Sequence, residues 1–286
     1  MSFITLTTDF GTKDHFVGAV KGAIYSELPE AKIVDITHEI SPFNITQTAY
    51  ILKNSYKSFP KGTIHIVGVD SELSIHNKHI ALELDGHFFV CPDNGLIAMI
   101  ASEIKPSRIV EINIHDRIES SFPVLDVFVQ VACFIARGGN LAVIGKEITD
   151  FKKIIEIQPK ANQEETQIIG GIIYIDNYGN AITNITKKMF TDIGKGRNYQ
   201  ILAKKHIFTK IFTKYNEVAS NPAYTNQQYE GHKLALFNSA SFLELAIYRS
   251  NLGTVGGASS LLGLDYRDAI TINFINEPKE EYITLK

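Results

Sequence analysis

The feature that most constrains the fold is a change of rhythm part-way along the chain. The first half alternates short β-rich runs with stretches of helical spacing: "FITLTTD" (3–9), then Phe16, Val20, Ala23 and Ile24, then "KIVDIT" (32–37), then Ile45, Ala49, Leu52 and Tyr56, then "TIHIVGVD" (63–70). "HIALELDGHFFVCP" (79–92) reads as a hairpin turning at Asp85-Gly86, a two-residue loop that hairpins favour. A helix over about 95–104, the strand "RIVEINI" (108–114) and a helix in "LDVFVQVACFIARGG" (125–139), stopped by Gly138 and Gly139, complete the region. Strands separated by helices predict an α/β domain with a mostly parallel sheet covered on both faces. Beyond the polar stretch "PKANQEETQ" the pattern becomes strands and turns, "IIGGIIYID", "YQILAKKHIF", "KLALFN" and "AITINF", with one helical piece near 187–191. The expectation is therefore an N-terminal α/β domain over 1–158, a linker over 159–167, and a smaller C-terminal β-barrel-like domain over 168–286.

A chain of 286 residues suits two cores, and 44% apolar with 21% charged residues places it among soluble globular proteins. A formal charge of -3 without a dense Lys/Arg stripe argues against a nucleic-acid binder, so a small-molecule partner is expected. Cys91 and Cys133 fall in apolar runs without ligand spacing and read as buried reduced thiols. The chain does not open with a basic segment followed by a longer apolar one, and no apolar run reaches the roughly 18 residues of a membrane helix, so a cytoplasmic address is expected. Nucleophile-elbow, phosphate-loop and dinucleotide-binding motifs are missing from the sequence. Asp9, His15, His38, His65 and Asp70 are ligand types without tight spacing, so no metal and no cofactor are expected.

Polar residues concentrate at a few places. Three early strands end in an acid, at Asp9, Asp35 and Asp70, and in a parallel sheet Asp9 and Asp70 would converge on one edge, where such sheets bind ligands. The plainer reading of "TTDFGTKDHF" is a turn before a helix starting near Asp14. "CPDNGLIAMI" places Asp93 and Asn94 where either would cap a helix or face a ligand. "YIDNYGNAITNI" packs Asp176, Asn177, Tyr178, Gly179, Asn180 and Asn184 into twelve residues, which fits an Asx turn or recognition of a neutral polar group by amide side chains. "FNSASFLELAIY" raises the same question for Asn238, Ser239 and Glu244.

Taken in order, "TLTTDFGTKDHFVGAVKG", "VDITHEISPFN", "GVD", "FFVCPDNGLI", "SFPVLDVF", "IDNYGNAITNI" and "NSASFLELA" resemble the S-adenosylmethionine hydroxide adenosyltransferases, relatives of the fluorinase and chlorinase, over almost the whole chain. The resemblance implies an α/β domain plus a small β-barrel domain, a homotrimer with sites at subunit interfaces, and S-adenosyl-L-methionine as substrate. It implies displacement at C5′ by a water-derived nucleophile, giving adenosine and L-methionine. Asp9 would hold the ribose hydroxyls and Phe43 would wall the substrate. Tyr178 and Asn180 would line the adenosine site, and Asn238, Ser239 and Glu244 would contact the base or the amino-acid end. Asp14 and Asn94 are further binding candidates.

Family members use an Asp-Arg-His set to deliver water, and this chain departs from it. Asp70 matches the Asp, but the Arg position falls on Asn77 and the His position on Pro123, with Leu125 in place of a second Arg. Proline's side chain neither donates nor accepts, so it cannot replace the His. Lys78 is the candidate for the lost positive charge. Val124 stands where the fluorinase carries a serine, so halide use is not expected. Two alternatives stay open: an adenosine-binding or S-adenosylmethionine-binding protein without turnover, and adenosyl transfer to another nucleophile.

Overall fold

A computed structural model describes residues 2–101, 104–114, 120–154, 158–220 and 226–275. The chain divides into two compact units, Met1–Glu156 and Ile157–Lys286.

In the first unit the strands are β1 (Phe3–Thr8), β2 (Lys32–Thr37), β3 (Ile64–Gly68), β4 (His79–Leu84), β5 (His87–Pro92), β6 (Arg108–Ile112) and β7 (Gly145–Glu147). They form one sheet in the order β2-β1-β3-β5-β4-β6-β7. The pairs β2/β1, β1/β3 and β3/β5 are parallel, and the hairpin turns the rest of the sheet antiparallel. At its tip Asp85 and Gly86 both have positive φ, +51° and +72°, the twist a two-residue hairpin loop requires.

Side chains alternate across each strand, and the two faces take different covers. Ile4, Leu6, Ile64, Ile66 and Val90 meet Val20 and Ile24 of α1 (Phe16–Glu27) and Val129 and Val131 of α4 (Val129–Ala136). Val67, Leu82 and Phe89 meet Ala49 and Leu52 of α2 (Ile45–Ser55) and the five-residue α3 (Leu96–Ile100). Three helix boundaries depart from the sequence expectation. Helix α1 begins at Phe16, with His15 at its start making no side-chain cap, so Asp14 lies in the preceding turn. Helix α3 ends at Ile100 rather than near 104, and residues 102 and 103 lie outside the described ones. The expected long helix after 125 opens with a single π turn over Val124–Phe128 before α4, which stops where Gly138 takes φ +84°. A four-residue helix, α5 (Leu141–Ile144), capped by Asn140, leads into β7.

The second unit is β-rich. Its strands are β8 (Lys160–Ala161), β9 (Gln167–Ile175), β10 (Ala181–Thr186), β11 (Asn198–Ala203), β12 (His206–Phe208), β13 (Ile211–Phe212), β14 (Lys233–Phe237), β15 (Phe242–Ile247) and β16 (Ala269–Ile275). They build a barrel-like sheet in the order β12-β11-β16-β9-β10-β15-β14-β13, with β8 on β9. Residues 160 and 161 of the expected linker are thus paired strand. Ile168, Ile172, Ala181, Ile185, Leu243, Leu245, Ile270 and Ile272 fill the core. Helix α6 (Lys187–Gly194) follows β10, with Thr186 Oγ1 accepting from Met189 N–H at 3.1 Å. It runs three residues past the predicted piece. A short α7 (Ala258–Leu261) precedes β16.

Candidate functional site

Strands β1 and β3 are parallel neighbours with Thr8 opposite Gly68, so Asp9 and Asp70 leave the sheet at the same edge. Asp35 does not join them. It sits inside β2, paired with Lys21 Nζ at 2.5 Å and 3.2 Å from His38 Nε2. Asp9 Oδ2 accepts from the Phe43 N–H at 2.9 Å, and Oδ1 has no hydrogen-bond partner among the described residues. Phe43 has φ +62° and is 72% exposed. A carboxylate thus holds the backbone of an aromatic residue that projects into solvent, leaving one acceptor oxygen for a ligand.

Asp70 also has a left-handed backbone, φ +49°, at the start of the loop to β4. That loop is braced from within. Asn77 Nδ2 donates to Asp70 O at 2.7 Å and Glu72 O at 2.9 Å, Ser74 and Asn77 bridge backbone to backbone, and buried His79 Nε2 lies 2.9 Å from Ser71 O. The Asp70 carboxyl is pushed above the usual range, chiefly by desolvation; Lys152 opposes this, and the charges of Asp9 and Glu72 add to it.

Asn94 is buried, its amide donating to Val69 O at 3.1 Å and accepting from Leu96 N–H at 3.2 Å, so it ties the residue after β3 to the start of α3. Asp93 does not cap α3; Gly95 occupies that position, and Asp93 Oδ1 accepts from Lys152 N–H at 2.8 Å. Asp14 is exposed, with no hydrogen bond or ion pair among the described residues. Lys78 Nζ lies 3.9 Å from Glu111 Oε1 on β6. Beside the loop opens a cavity of about 630 Å³ lined by His76, Lys78, Asp93, Phe151 and Lys152 among others.

The π turn packs against the end of β3. A Cβ on Gly68 would stand 2.8 Å from Val124 Cγ2, so only glycine admits the fully buried Val124 there. Phe122 closes an aromatic cluster with Phe10 and Phe16, ring centroids 5.4 and 5.3 Å away. Pro123 starts the turn, Leu125 packs on the core, and Asp126 accepts from Ser120 Oγ at 2.6 Å. Positions 123 and 125 therefore bring no titratable group to this edge.

The second unit gathers its own polar cluster. Asp176 Oδ1 accepts from the N–H groups of Tyr178 and Asn180 at 2.9 and 2.8 Å, and Oδ2 accepts from Asn180 Nδ2 at 3.0 Å. Gly179, φ +79°, completes this Asx turn where a Cβ would come within 2.6 Å of Leu252. The turn leaves Tyr178 60% exposed, while buried Asn180 keeps Oδ1 without a partner among the described residues. On the adjacent strand Glu244 stands opposite Ile182 and is 3% exposed, with Tyr215 Oη donating to Oε1 at 2.5 Å and Asn238 also hydrogen-bonded to it. Burial pushes the Glu244 carboxyl up, the two hydrogen bonds oppose that, and the charge of Asp176 adds to it. Asn238 Oδ1 accepts from Ala240 and Phe242 N–H at 3.0 and 3.2 Å, leaving Ser239 exposed at the tip.

Comparison with known proteins fixes the family. Residues 4–145 match the SAM hydroxide adenosyltransferase N-terminal domain, and residues 170–271 match its C-terminal domain. This chain belongs to the SAM hydroxide adenosyltransferase family. An (R)-S-adenosyl-L-methionine hydrolase of Methanocaldococcus jannaschii is 34% identical over 95% of the chain and 96% of its own length. A fluorinase of Actinopolyspora mzabensis is 21% identical over 85% of the chain and 89% of its own. The crystal structure of an uncharacterized conserved protein from Thermotoga maritima superposes with a TM-score of 0.78 at 27% identity, covering 96% of this chain and all of the other.

As a SAM hydroxide adenosyltransferase family member the chain has two features that sequence reasoning missed. Lys152 stands beside the Asp70 loop, and Tyr215 holds Glu244. Neither carried a signal: Lys152 belongs to a charged surface stretch and Tyr215 to a turn, and only the fold brings Lys152 to His76 of the loop and Tyr215 to Glu244.

Proposed function

We propose that this chain binds S-adenosyl-L-methionine and cleaves it at C5′ with a water-derived nucleophile, releasing adenosine and L-methionine. The observation that carries the reading is 34% identity to a hydrolase of that substrate along nearly the full length of both chains. Asp9 grips the ribose hydroxyls through its open oxygen, and Phe43 provides the apolar wall. Tyr178, Asn180, Asn238, Ser239 and Glu244 serve the adenosine and amino-acid ends. In the reacting step a lone pair on the water oxygen attacks C5′, the C–S bond breaks, and its electron pair stays on the methionine sulfur. The water proton passes to Asp70, whose raised affinity for protons suits that task. Because the sulfonium is already a good leaving group, alignment of the nucleophile is the main requirement. A homotrimer, as the family resemblance implies, belongs to the same reading.

The second reading, ligand binding without turnover, is favoured by one observation: Asn77 and Pro123 replace the family's Arg and His. Incubating purified protein with S-adenosyl-L-methionine separates the two. Hydrolysis releases adenosine and methionine in equal amounts. Binding alone raises the melting temperature while the ligand stays whole. A 5′-substituted adenosine in place of adenosine identifies another nucleophile. Absence of adenosine above a heat-killed control refutes the hydrolase.

A further inference from the structure

We infer that His38 is a positioning residue for ligand binding: its buried imidazole clamps the end of β1 to the segment before α2, and so fixes the span across which Asp9 reaches Phe43. The inference rests on the ribose role given to Asp9 above. His38 follows β2 in "DITH", is 5% exposed, and takes no part in the chemistry proposed for the site. Its Nδ1 lies 2.8 Å from Thr8 Oγ1, and Thr8 is the residue immediately before Asp9. The same Thr8 oxygen accepts from the Phe10 N–H at 3.4 Å, on the other side of Asp9. At the far end of the ring Nε2 lies 3.2 Å from Asp35 Oδ1, and Asp35 is paired in turn with Lys21 of α1. The imidazole therefore joins a hydroxyl at the sheet edge to a carboxylate inside β2.

The main chain laces the same two segments together. Gly11 N–H donates to His38 O at 2.8 Å, and Ile40 N–H donates to Thr8 O at 3.4 Å. From His38 the chain runs directly to Phe43, whose N–H donates to Asp9 Oδ2 at 2.9 Å. Asp9 and Phe43 thus close a ring of contacts that has the imidazole at its base. A carboxylate tied to one backbone N–H turns as far as its neighbours let it, and the Thr8–His38 bond removes that freedom at the preceding residue. Burial pushes the Asp35 carboxyl up, but the hydrogen bonds and charges of Lys21 and His38 outweigh this and hold it below the usual range. Ionised, it only accepts, so the ring nitrogen facing it carries a hydrogen and the imidazole keeps one orientation. An apolar side chain of similar size would leave the buried Thr8 hydroxyl without this partner. An acceptor held in place before the ligand arrives binds more tightly, because less ordering is left to do.

The test uses the full-length chain and two ligands that differ only at the sugar, adenosine and 2′,3′-dideoxyadenosine, with affinities measured by calorimetry. His38→Leu keeps most of the volume and removes both nitrogens. It should weaken adenosine binding about fivefold and change dideoxyadenosine binding by less than about twofold. Thr8→Val removes the same hydrogen bond without touching the ring and should reproduce this pattern, whether or not His38→Leu folds. His38→Asn returns a polar atom near the Nδ1 position and should recover most of the loss. Because His38 acts through Asp9, the chain carrying both Asp9→Ala and His38→Leu should bind adenosine within about twofold of Asp9→Ala alone. Equal weakening of both ligands marks a general packing effect and overturns the inference, as does unchanged affinity for both or full additivity with Asp9→Ala. If Asp9→Ala itself fails to separate the two ligands, the ribose reading has failed. The clamp is then read from the Phe43 amide, whose hydrogen exchange should speed up about tenfold in His38→Leu; an unchanged rate refutes the clamp.

Discussion

Asn77 is the residue on which the geometry of the β3–β4 loop turns, and Asn77→Ala isolates its contribution. The change removes the hydrogen bonds to Asp70 O and Glu72 O, at 2.7 and 2.9 Å, and leaves the backbone bridge to Ser74 in place. Two neutral hydrogen bonds contribute about 1 kcal/mol each, and water reaches part of this exposed loop, so the expected loss is about 1–2 kcal/mol. For a unit of residues 1–156 that corresponds to a melting temperature lower by about 2–8 °C. The local consequence is larger than the global one. Asp70 holds φ +49°, a conformation that costs a non-glycine residue about 1–2 kcal/mol and persists because its carbonyl is held. Once released, the backbone relaxes and the carboxylate leaves its place, so adenosine formation should drop about tenfold with little change in KM. Asn77→Arg, which brings back the family's residue type, forfeits the same brace and should show the same thermal deficit without a gain in turnover. Thermal unfolding followed by circular dichroism, with adenosine quantified on the same preparations, checks both parts. A melting temperature within about 1 °C of the unaltered chain and unchanged turnover would refute the reasoning.

Two further expectations follow from the carboxylate on β1 and from a buried imidazole. Asp9→Ala should weaken adenosine binding about thirtyfold by calorimetry, since a carboxylate's hydrogen bonds to ribose contribute about 2 kcal/mol; near-normal affinity would return Asp9 to a purely structural role toward Phe43. His65, buried between Thr5 and His87, has its pKa lowered to about 3 by desolvation and by the neighbouring imidazole. Between that value and the unfolded one near 6.5 the unfolded chain binds the extra proton. Stability should therefore be lost as pH falls through that window, at about 1.4 kcal/mol per pH unit. Urea titrations at several pH values, comparing the unaltered chain with His65→Phe, should show that slope reduced by one proton; parallel curves would exclude His65 as its source.

The strands and the hairpin were legible because period-two alternation and an Asp-Gly loop each have one structural solution. The π turn was not, since Val124, Val127 and Phe128 are spaced as they would be in an ordinary helix and only the backbone hydrogen bond from Val129 N–H to Val124 O distinguishes it. Asp9 and Asp70 could be placed on one edge from the strand pattern alone. For Asn94 the strand-to-helix position suggested a cap, and its Oδ1 does accept from Leu96 N–H, but the hydrogen bond of its amide to Val69 O depends on how the chain packs and had no signal in the sequence. The approach of Lys152 to His76 in the β3–β4 loop was beyond reach for a related reason. Such a contact depends on where distant segments return, and nothing in "DFKK" announces that it returns beside β5.

The left-handed backbone at Phe43 and Asp70 bears on how this chain can change. Glycine would adopt both conformations at no steric cost, so at each position the side chain is kept against a cheaper alternative. A library screened for heat tolerance alone is drawn toward glycine at 43 and 70, and the sturdier chains it yields lose the proposed aromatic wall and the proposed proton acceptor together. Engineering for robustness here has to be run with a turnover screen from the first round.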